Sequence, residues 1–253
     1  MEITSYDHGV PSWIDIGVPD IAKAADFYGR LFGWEAPEGS PETGGYRNAV
    51  LNGHPVAGLG PQQNLDMPPY WTSYVNVDRA DDVAAKVTAA GGATIVAPMD
   101  VMEFGRMAIF TDPTGAAFGV WQPGTHKGAE VVNEPGAWAF DDLQTADPAA
   151  AAPFYEALLG WQITEIAGAD GAYFSIAHEG RTIGGLMKAQ RPIAQPFWTV
   201  YIGTADVDAS LERVAAAGGT VLMGATAVPA GRFAVALDDQ GATLCLVEAD
   251  FDD

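Results

Sequence analysis

From residue 12 to residue 18 the chain alternates. Ile14, Ile16 and Val18 fall on one side and Trp13 and Asp15 on the other, the period of a strand buried on one face. The period then lengthens. Ala24, Phe27, Tyr28 and Leu31 line one stripe of a helix predicted over residues 21–31, with Asp20 as its N-cap and Gly33 as its stop. Short strands are predicted at residues 46–51 and 54–59. A second unit of the same form opens with a strand at 71–77 and continues in a helix at 80–90, stopped by Gly91 and Gly92. It closes with strands at 94–97, 106–111 and 117–121. Asp112, Pro113, Thr114 and Gly115 between the last two read as a hairpin turn.

The whole pattern then repeats. A shift of 127 residues brings Asp20 onto Asp147, Phe27 and Tyr28 onto Phe154 and Tyr155, and Gly33 and Trp34 onto Gly160 and Trp161. The same shift lays Trp71 and Thr72 on Trp198 and Thr199, and Gly91 and Gly92 on Gly218 and Gly219. After one deletion Gly105 and Arg106 meet Gly231 and Arg232, and Gly115 meets Gly241. Matches in register over this length identify tandem copies. A weaker echo at a shift of 58 puts Trp13 on Trp71 and Asp20 on Asp78. The expected fold class is α+β, built of tandem paired βαβββ modules. Four modules would make two domains, at residues 8–123 and 136–249, joined by a linker at 124–135. Paired curved sheets of this kind leave a concave cleft lined by alternate side chains.

Charge narrows the choice of partners. Twelve Lys+Arg stand against 33 Asp+Glu, for a formal net charge of −21. The acidity is spread over both copies, with 6 basic and 15 acidic residues in 1–125, and 6 and 18 in the rest. A small acidic end lies at Asp250, Asp252 and Asp253. Such a field repels nucleic acid and anionic lipid, so neither is an expected partner. It serves solubility, with a basic partner or cationic ligand as the alternative. No apolar run approaches the roughly 18 residues of a membrane span. Cys245 is the single cysteine, which allows no intrachain disulfide. Residues 1–10 show no secretory leader. The expectation is a cytoplasmic monomer or homodimer.

Several of these segments carry a resemblance. They are Val18-Pro19-Asp20, Phe27-Tyr28, Leu31-Phe32-Gly33-Trp34, Ala89-Ala90-Gly91-Gly92 and Phe110-Thr111-Asp112-Pro113-Thr114-Gly115. Together they resemble the vicinal oxygen chelate superfamily of glyoxalases, extradiol dioxygenases, fosfomycin-modifying enzymes and bleomycin-binding proteins. The chain is especially similar to tandem actinobacterial proteins filed as glyoxalase-like, or as hydroxylases near antibiotic pathways. The resemblance implies the fold and leaves the reaction open, because this superfamily hosts many chemistries and also pure binders. It also implies where metal ligands would stand: at Trp13, near Gly58, at Thr72 and at Gly119, then at Phe140, near Gly185, at Thr199 and at Cys245. Such a set is foreign to Zn, Fe or Mn, and the four histidines (His8, His54, His126, His178) do not complete it. No metal and no cofactor is expected.

The same face carries rings and a few polar groups. The candidate ligand-binding residues are Trp13, Asp15, Thr72, Tyr74 and Phe104 in the first copy, and Phe140, Asp142, Thr199 and Tyr201 in the second. Flat rings with carboxylates and hydroxyls suit a planar, polyfunctional ligand, stacked and then oriented by hydrogen bonds. The same rings read equally as the core of a filled domain. Asp15, Tyr74, Asp142 and Tyr201 are the candidates for moving a proton, since a carboxylate beside rings in a cleft can have a raised pKa. The recurrence of Arg106 and Arg232 favours internal ion pairs, with acids such as Asp112 and Asp238, over an anion clamp. Connectors at 60–70 and 190–197, with residues 39–45 and Glu103, are candidates for the cleft mouth. Cys245 is expected as a small buried hydrophobe. Dinucleotide, Walker, nucleophile-elbow and Cys-x-x-Cys patterns are missing from the sequence.

The functional expectation is metal-independent binding of a small aromatic or polyfunctional metabolite, such as a secondary metabolite or drug. One alternative is an enzyme that modifies a carbonyl or aromatic compound by proton transfer. Another is a structural protein with filled clefts. The two copies are expected to differ in binding, since Trp13 and Trp71 in one answer to Phe140 and Trp198 in the other.

Overall fold

A computed structural model describes residues 2–169, 171–189 and 195–249. The first copy runs β1 (Pro11–Val18), α1 (Ile21–Phe32), β2 (Arg47–Leu51), β3 (His54–Pro61) and β4 (Tyr70–Asn76). It continues through α2 (Ala80–Val87), β5 (Ala93–Val101), β6 (Gly105–Thr111) and β7 (Ala117–Pro123). The second copy runs β8 (Trp138–Thr145), α3 (Pro148–Leu159), β9 (Gln162–Glu165), β10 (Tyr173–His178) and β11 (Arg181–Lys188). It ends with β12 (Phe197–Gly203), α4 (Val207–Ala216), β13 (Thr220–Val228), β14 (Gly231–Leu237) and β15 (Thr243–Glu248).

Each copy makes one mixed sheet, ordered β2-β3-β1-β4-β7-β6-β5 and β9-β10-β11-β8-β12-β15-β14-β13. The central pairs β1–β4 and β8–β12 are antiparallel, and each central strand has a parallel neighbour from its own module. The α+β architecture is as expected. Opposite β9, however, the first copy has only an isolated bridge between Glu35 and Val50.

Local chemistry explains the elements. The Asp20 carboxylate accepts from the Lys23 N–H, and Gly33 at φ +77° lets the chain leave α1 in a left-handed turn. Ala24, Phe27, Tyr28 and Leu31 form the buried stripe. The module echo is one residue off the expected shift. α2 begins 59 residues after α1, and Asp15 pairs with Gly58 as Tyr74 pairs with Gly119. Asp15 and Tyr74 are therefore the counterparts. Trp71 pairs with Ile16 and packs edge-on against Tyr28 at 5.5 Å in the core, so it does not join Trp13. Arg79, and not Asp78, holds the N-cap position of α2.

The repeated motifs join the two copies. The Tyr28 hydroxyl donates to Asp238 Oδ2 at 2.9 Å, and that of Tyr155 donates to Asp112 Oδ2 at 3.1 Å. Trp34 Nε1 donates to the Gly136 carbonyl and Trp161 Nε1 to the Gly9 carbonyl, both at 2.6 Å. The other oxygen of Asp112 takes the N–H groups of Thr114, Gly115 and Ala116, while that of Asp238 takes those of Gln240 and Ala242. The turn carboxylates are thus already satisfied. This corrects the expected ion pairs: Arg106 pairs with Asp81 and Asp100 at 3.0 and 2.9 Å, and Arg232 with Asp208 and Glu248 at 2.7 and 3.5 Å. The second glycine of each Gly-Gly stop is pressed first by its own sheet, where a Cβ would collide with the Thr111 or the Leu237 carbonyl, and then by the other copy. A Cβ at Gly92 would come 2.8 Å from the Phe154 ring, and one at Gly219 would come 3.2 Å from the Phe27 ring.

Candidate ligand site

Ile14, Ile16 and Val18 enter the core beside α1, which turns Trp13 and Asp15 toward the opposite face of the sheet. Register does the rest. Asp15 lies between Gly58 of β3 and Thr72 of β4, and Trp13 lies beside Tyr74. Tyr46, just before β2, crosses β3. A Cβ at Gly58 would fall on its hydroxyl, and one at Gly60 would come 2.9 Å from its ring, so both positions require glycine. The Tyr46 hydroxyl donates to Asp15 Oδ2 at 3.4 Å and accepts from Trp13 Nε1 at 3.0 Å. Burial pushes the Asp15 carboxyl up to about 7, offset in part by the phenols of Tyr74 and Tyr46. Burial, and then the Asp15 charge, hold both phenols well above their ordinary value.

The second cleft repeats the cluster 127 residues on. Asp142 lies between Gly185 and Thr199. The Tyr173 hydroxyl donates to its Oδ1 at 2.8 Å and the Tyr201 hydroxyl to its Oδ2 at 3.1 Å. Burial pushes Asp142 up to about 6 against those two hydrogen bonds. Each cleft is therefore built on one aspartate and two tyrosines. Asp15, Tyr74, Asp142 and Tyr201 were legible from strand alternation. Tyr46 and Tyr173 were not singled out, although the shift of 127 relates them as well.

The linings differ. In the first cleft His126, from the segment after β7, meets Trp13 edge-on at 4.4 Å and Trp121 at 5.7 Å. Burial lowers His126 to about 4, so the ring is neutral. Phe104, Met107 and Ile109 pack against this group. In the second cleft Phe140 and Phe233 each stand edge-on to Tyr201 at 6.2 Å and both are partly exposed. Cys245 faces Tyr201 across the strands, and burial pushes its thiol up to about 12, which leaves it inert. Tyr70 and Phe197, the last residues of the two connectors proposed for the mouth, are 43% and 44% exposed and lie two residues before Thr72 and Thr199 on the same strand face. Of the connectors proposed for the mouth, residues 190–194 lie outside the described residues, as do Asp250, Asp252 and Asp253.

The residues present do not fit a divalent ion. Each cleft offers a single carboxylate, already engaged by phenols. Side chains at Gly58 and Gly185 would collide with that cluster, and the Tyr74 ring covers Gly119. Among the described residues no three His, Cys, Asp or Glu side chains gather to hold a metal.

Residues 11–120 and 127–246 both match the family described as the Glyoxalase/Bleomycin resistance protein/Dioxygenase superfamily. The chain belongs to this superfamily. Within it, the chain is 38% identical over 252 residues to the glyoxylase-named protein CFP32 of Mycobacterium bovis, covering 97% of each. It is 38% identical over 263 residues to the anthracycline biosynthesis protein DnrV of Streptomyces peucetius, covering 97% of this chain and 95% of that one. Among solved structures, the Mn(II)-bound glyoxalase from Novosphingobium aromaticivorans superimposes with a TM-score of 0.69 at 18% identity, over 97% of this chain and 85% of that one. The 2,3-dioxygenase LapB from Pseudomonas sp. KL28 gives 0.65 at 14% identity, over 96% and 93%. These two likenesses show the superfamily fold. Among the described residues no helix is long and apolar enough to cross a membrane.

Proposed function

We propose that the protein binds a small, planar, oxygen-bearing metabolite of aromatic type in its glyoxalase-like clefts, without a divalent ion. The observation that carries this reading is the repeated cluster of one aspartate and two tyrosines, set among rings on the sheet face opposite the helices. Rings bind flat apolar surface, and the phenols orient a ligand's oxygen functions. The names of DnrV and of DauV of Streptomyces sp., both anthracycline biosynthesis proteins, favour a fused-ring secondary metabolite. Native mass spectrometry of the protein, purified gently from its own host, tests the reading. We expect one co-purifying aromatic compound that persists after chelation. A protein free of small molecules that also captures none from a host extract would overturn it.

A second reading, proton transfer on a carbonyl or aromatic substrate, is favoured by one specific feature. Asp142 is pushed up to about 6 and touches a phenol at 2.8 Å, so it can exchange a proton near neutrality through Tyr173. Solvent deuterium incorporation into the co-purified compound separates binding from catalysis.

A further inference from the structure

We propose that the second cleft is the one that takes ligand, and that this ligand is a planar compound donating a ring-borne hydroxyl to the Tyr173 oxygen. The inference rests on reading the clefts as small-molecule sites. It follows from two differences between otherwise equivalent clusters.

The first difference is a hydrogen bond. In the first cleft Tyr46 has both roles occupied, since it accepts from Trp13 Nε1 at 3.0 Å and donates to Asp15. In the second cleft Phe140 stands where Trp13 does and has no N–H to offer. Tyr173 donates to Asp142 at 2.8 Å, and among the described residues no donor reaches its oxygen. A phenol oxygen accepts as well as donates. Tyr173 is also partly exposed. A ligand hydroxyl placed there would complete a run from ligand to Tyr173 to Asp142, in which each bond polarises the next. A ligand with only acceptors would leave the Tyr173 oxygen without a donor.

The second difference is the size of the lining side chains. Trp13, Phe104 and Trp121 of the first cleft correspond to the smaller Phe140, Ala230 and Val247 in the second, while Met107 and Gly119 correspond to the larger Phe233 and Cys245. Trp13 and Trp121 are buried and closed over by His126. In the second cleft Phe140 and Phe233 keep part of their faces exposed, and Phe197, exposed like Tyr70 of the first cleft, lies further along the same face as Tyr201. Three accessible rings beside a hydrogen-bonding floor suit a flat fused ring system.

The test uses the full chain and two probes, 2-hydroxyanthraquinone and 2-methoxyanthraquinone, titrated at pH 6 by calorimetry and fluorescence quenching. We expect one site per chain, with the hydroxy probe bound at least ~10-fold more tightly than its methoxy partner, the scale of one buried hydrogen bond. Tyr173→Phe should remove that difference. Phe140→Trp should weaken the hydroxy probe at least ~10-fold by rebuilding the filling of the first cleft. Val247→Trp fills the same space from another strand and stands in if Phe140→Trp fails to fold. Two equal sites, parity between the probes, or unchanged binding by a folded filling variant would overturn the inference and leave the broader reading standing. Failure of both probes to bind would overturn both.

Discussion

In the first cleft Trp13 and Trp121 are buried against His126 while Asp15 stays partly exposed, whereas the second buries Asp142 and leaves the rings of Phe140 and Phe233 partly exposed. The clusters beneath are the same, and so are the motifs at the interface between the copies. The difference shows which positions each domain can change alone. Tyr28 depends on Asp238, and Tyr155 on Asp112, so neither copy can alter these motifs without stranding a buried group in the other. Lining residues such as Trp121 and Val247 have no cross-copy partner of this kind. Duplication holds the interface and frees the clefts to diverge.

The largest expected effect tests the interface half of that comparison. Asp238→Ala should destabilise the chain by about 3–5 kcal/mol, because it orphans the Tyr28 hydroxyl and two turn N–H groups at once. Asp112→Ala should cost a similar amount. Urea unfolding measures both, and a large effect from only one would break the equivalence.

Next in size is a place where the interface is not equivalent. Asp141 accepts from Trp138 Nε1 at 2.9 Å and from the Ser73 hydroxyl, while the shift of 127 makes the apolar Ile14 and Val200 the counterparts of Asp141 and Ser73. Burial pushes Asp141 up to about 7. The folded protein therefore holds this proton more tightly than the unfolded chain, whose aspartates titrate near ~3.9. The stability it contributes is complete below that value and is lost as pH rises through about 7. Asp141→Asn keeps an acceptor for Trp138 and faces Ser73 with an N–H donor, from which the Ser73 hydroxyl oxygen can accept. It should add about 1–4 kcal/mol at pH 8 and little at pH 4. Thermal unfolding across this range measures the change, and equal pH profiles for both proteins would contradict it.

The smallest effect sharpens the same comparison. Tyr28→Phe and Tyr155→Phe should each cost about 1–2 kcal/mol, the loss of one hydrogen bond to a carboxylate. The second should cost somewhat more, because the Tyr155 oxygen also accepts from Trp198 Nε1 at 3.1 Å. Differential scanning calorimetry resolves the two, and a costlier Tyr28→Phe would contradict the assignment.

Much of this was legible in the chain itself because it is local. Helix caps, the stripe of α1 and strand alternation depend on neighbours within a few residues, and they put Asp15 and Asp142 on the sheet face opposite the helices. What lay hidden depends on distant partners. Asp112 looks available to Arg106 until the fold brings Tyr155 to it, 43 residues away. Tyr46 opens a predicted strand, and its role appears only when Gly58 and Gly60 let it lie across β3. His126 sits in a Gly-bearing linker with no periodicity to give it a face. Trp71 was set beside Trp13 by an echo displaced by one residue, and in a strand one residue reverses the face.

Elemental analysis of the full chain before and after exhaustive chelation, coupled to the affinity for 2-hydroxyanthraquinone, tests most directly whether an aspartate and two tyrosines stand where the superfamily's metal enzymes hold an ion. We predict metal content well below one per chain, with affinity and unfolding midpoint unchanged by chelation. Near-stoichiometric Mn, Fe, Ni or Zn whose removal abolishes binding would contradict the account.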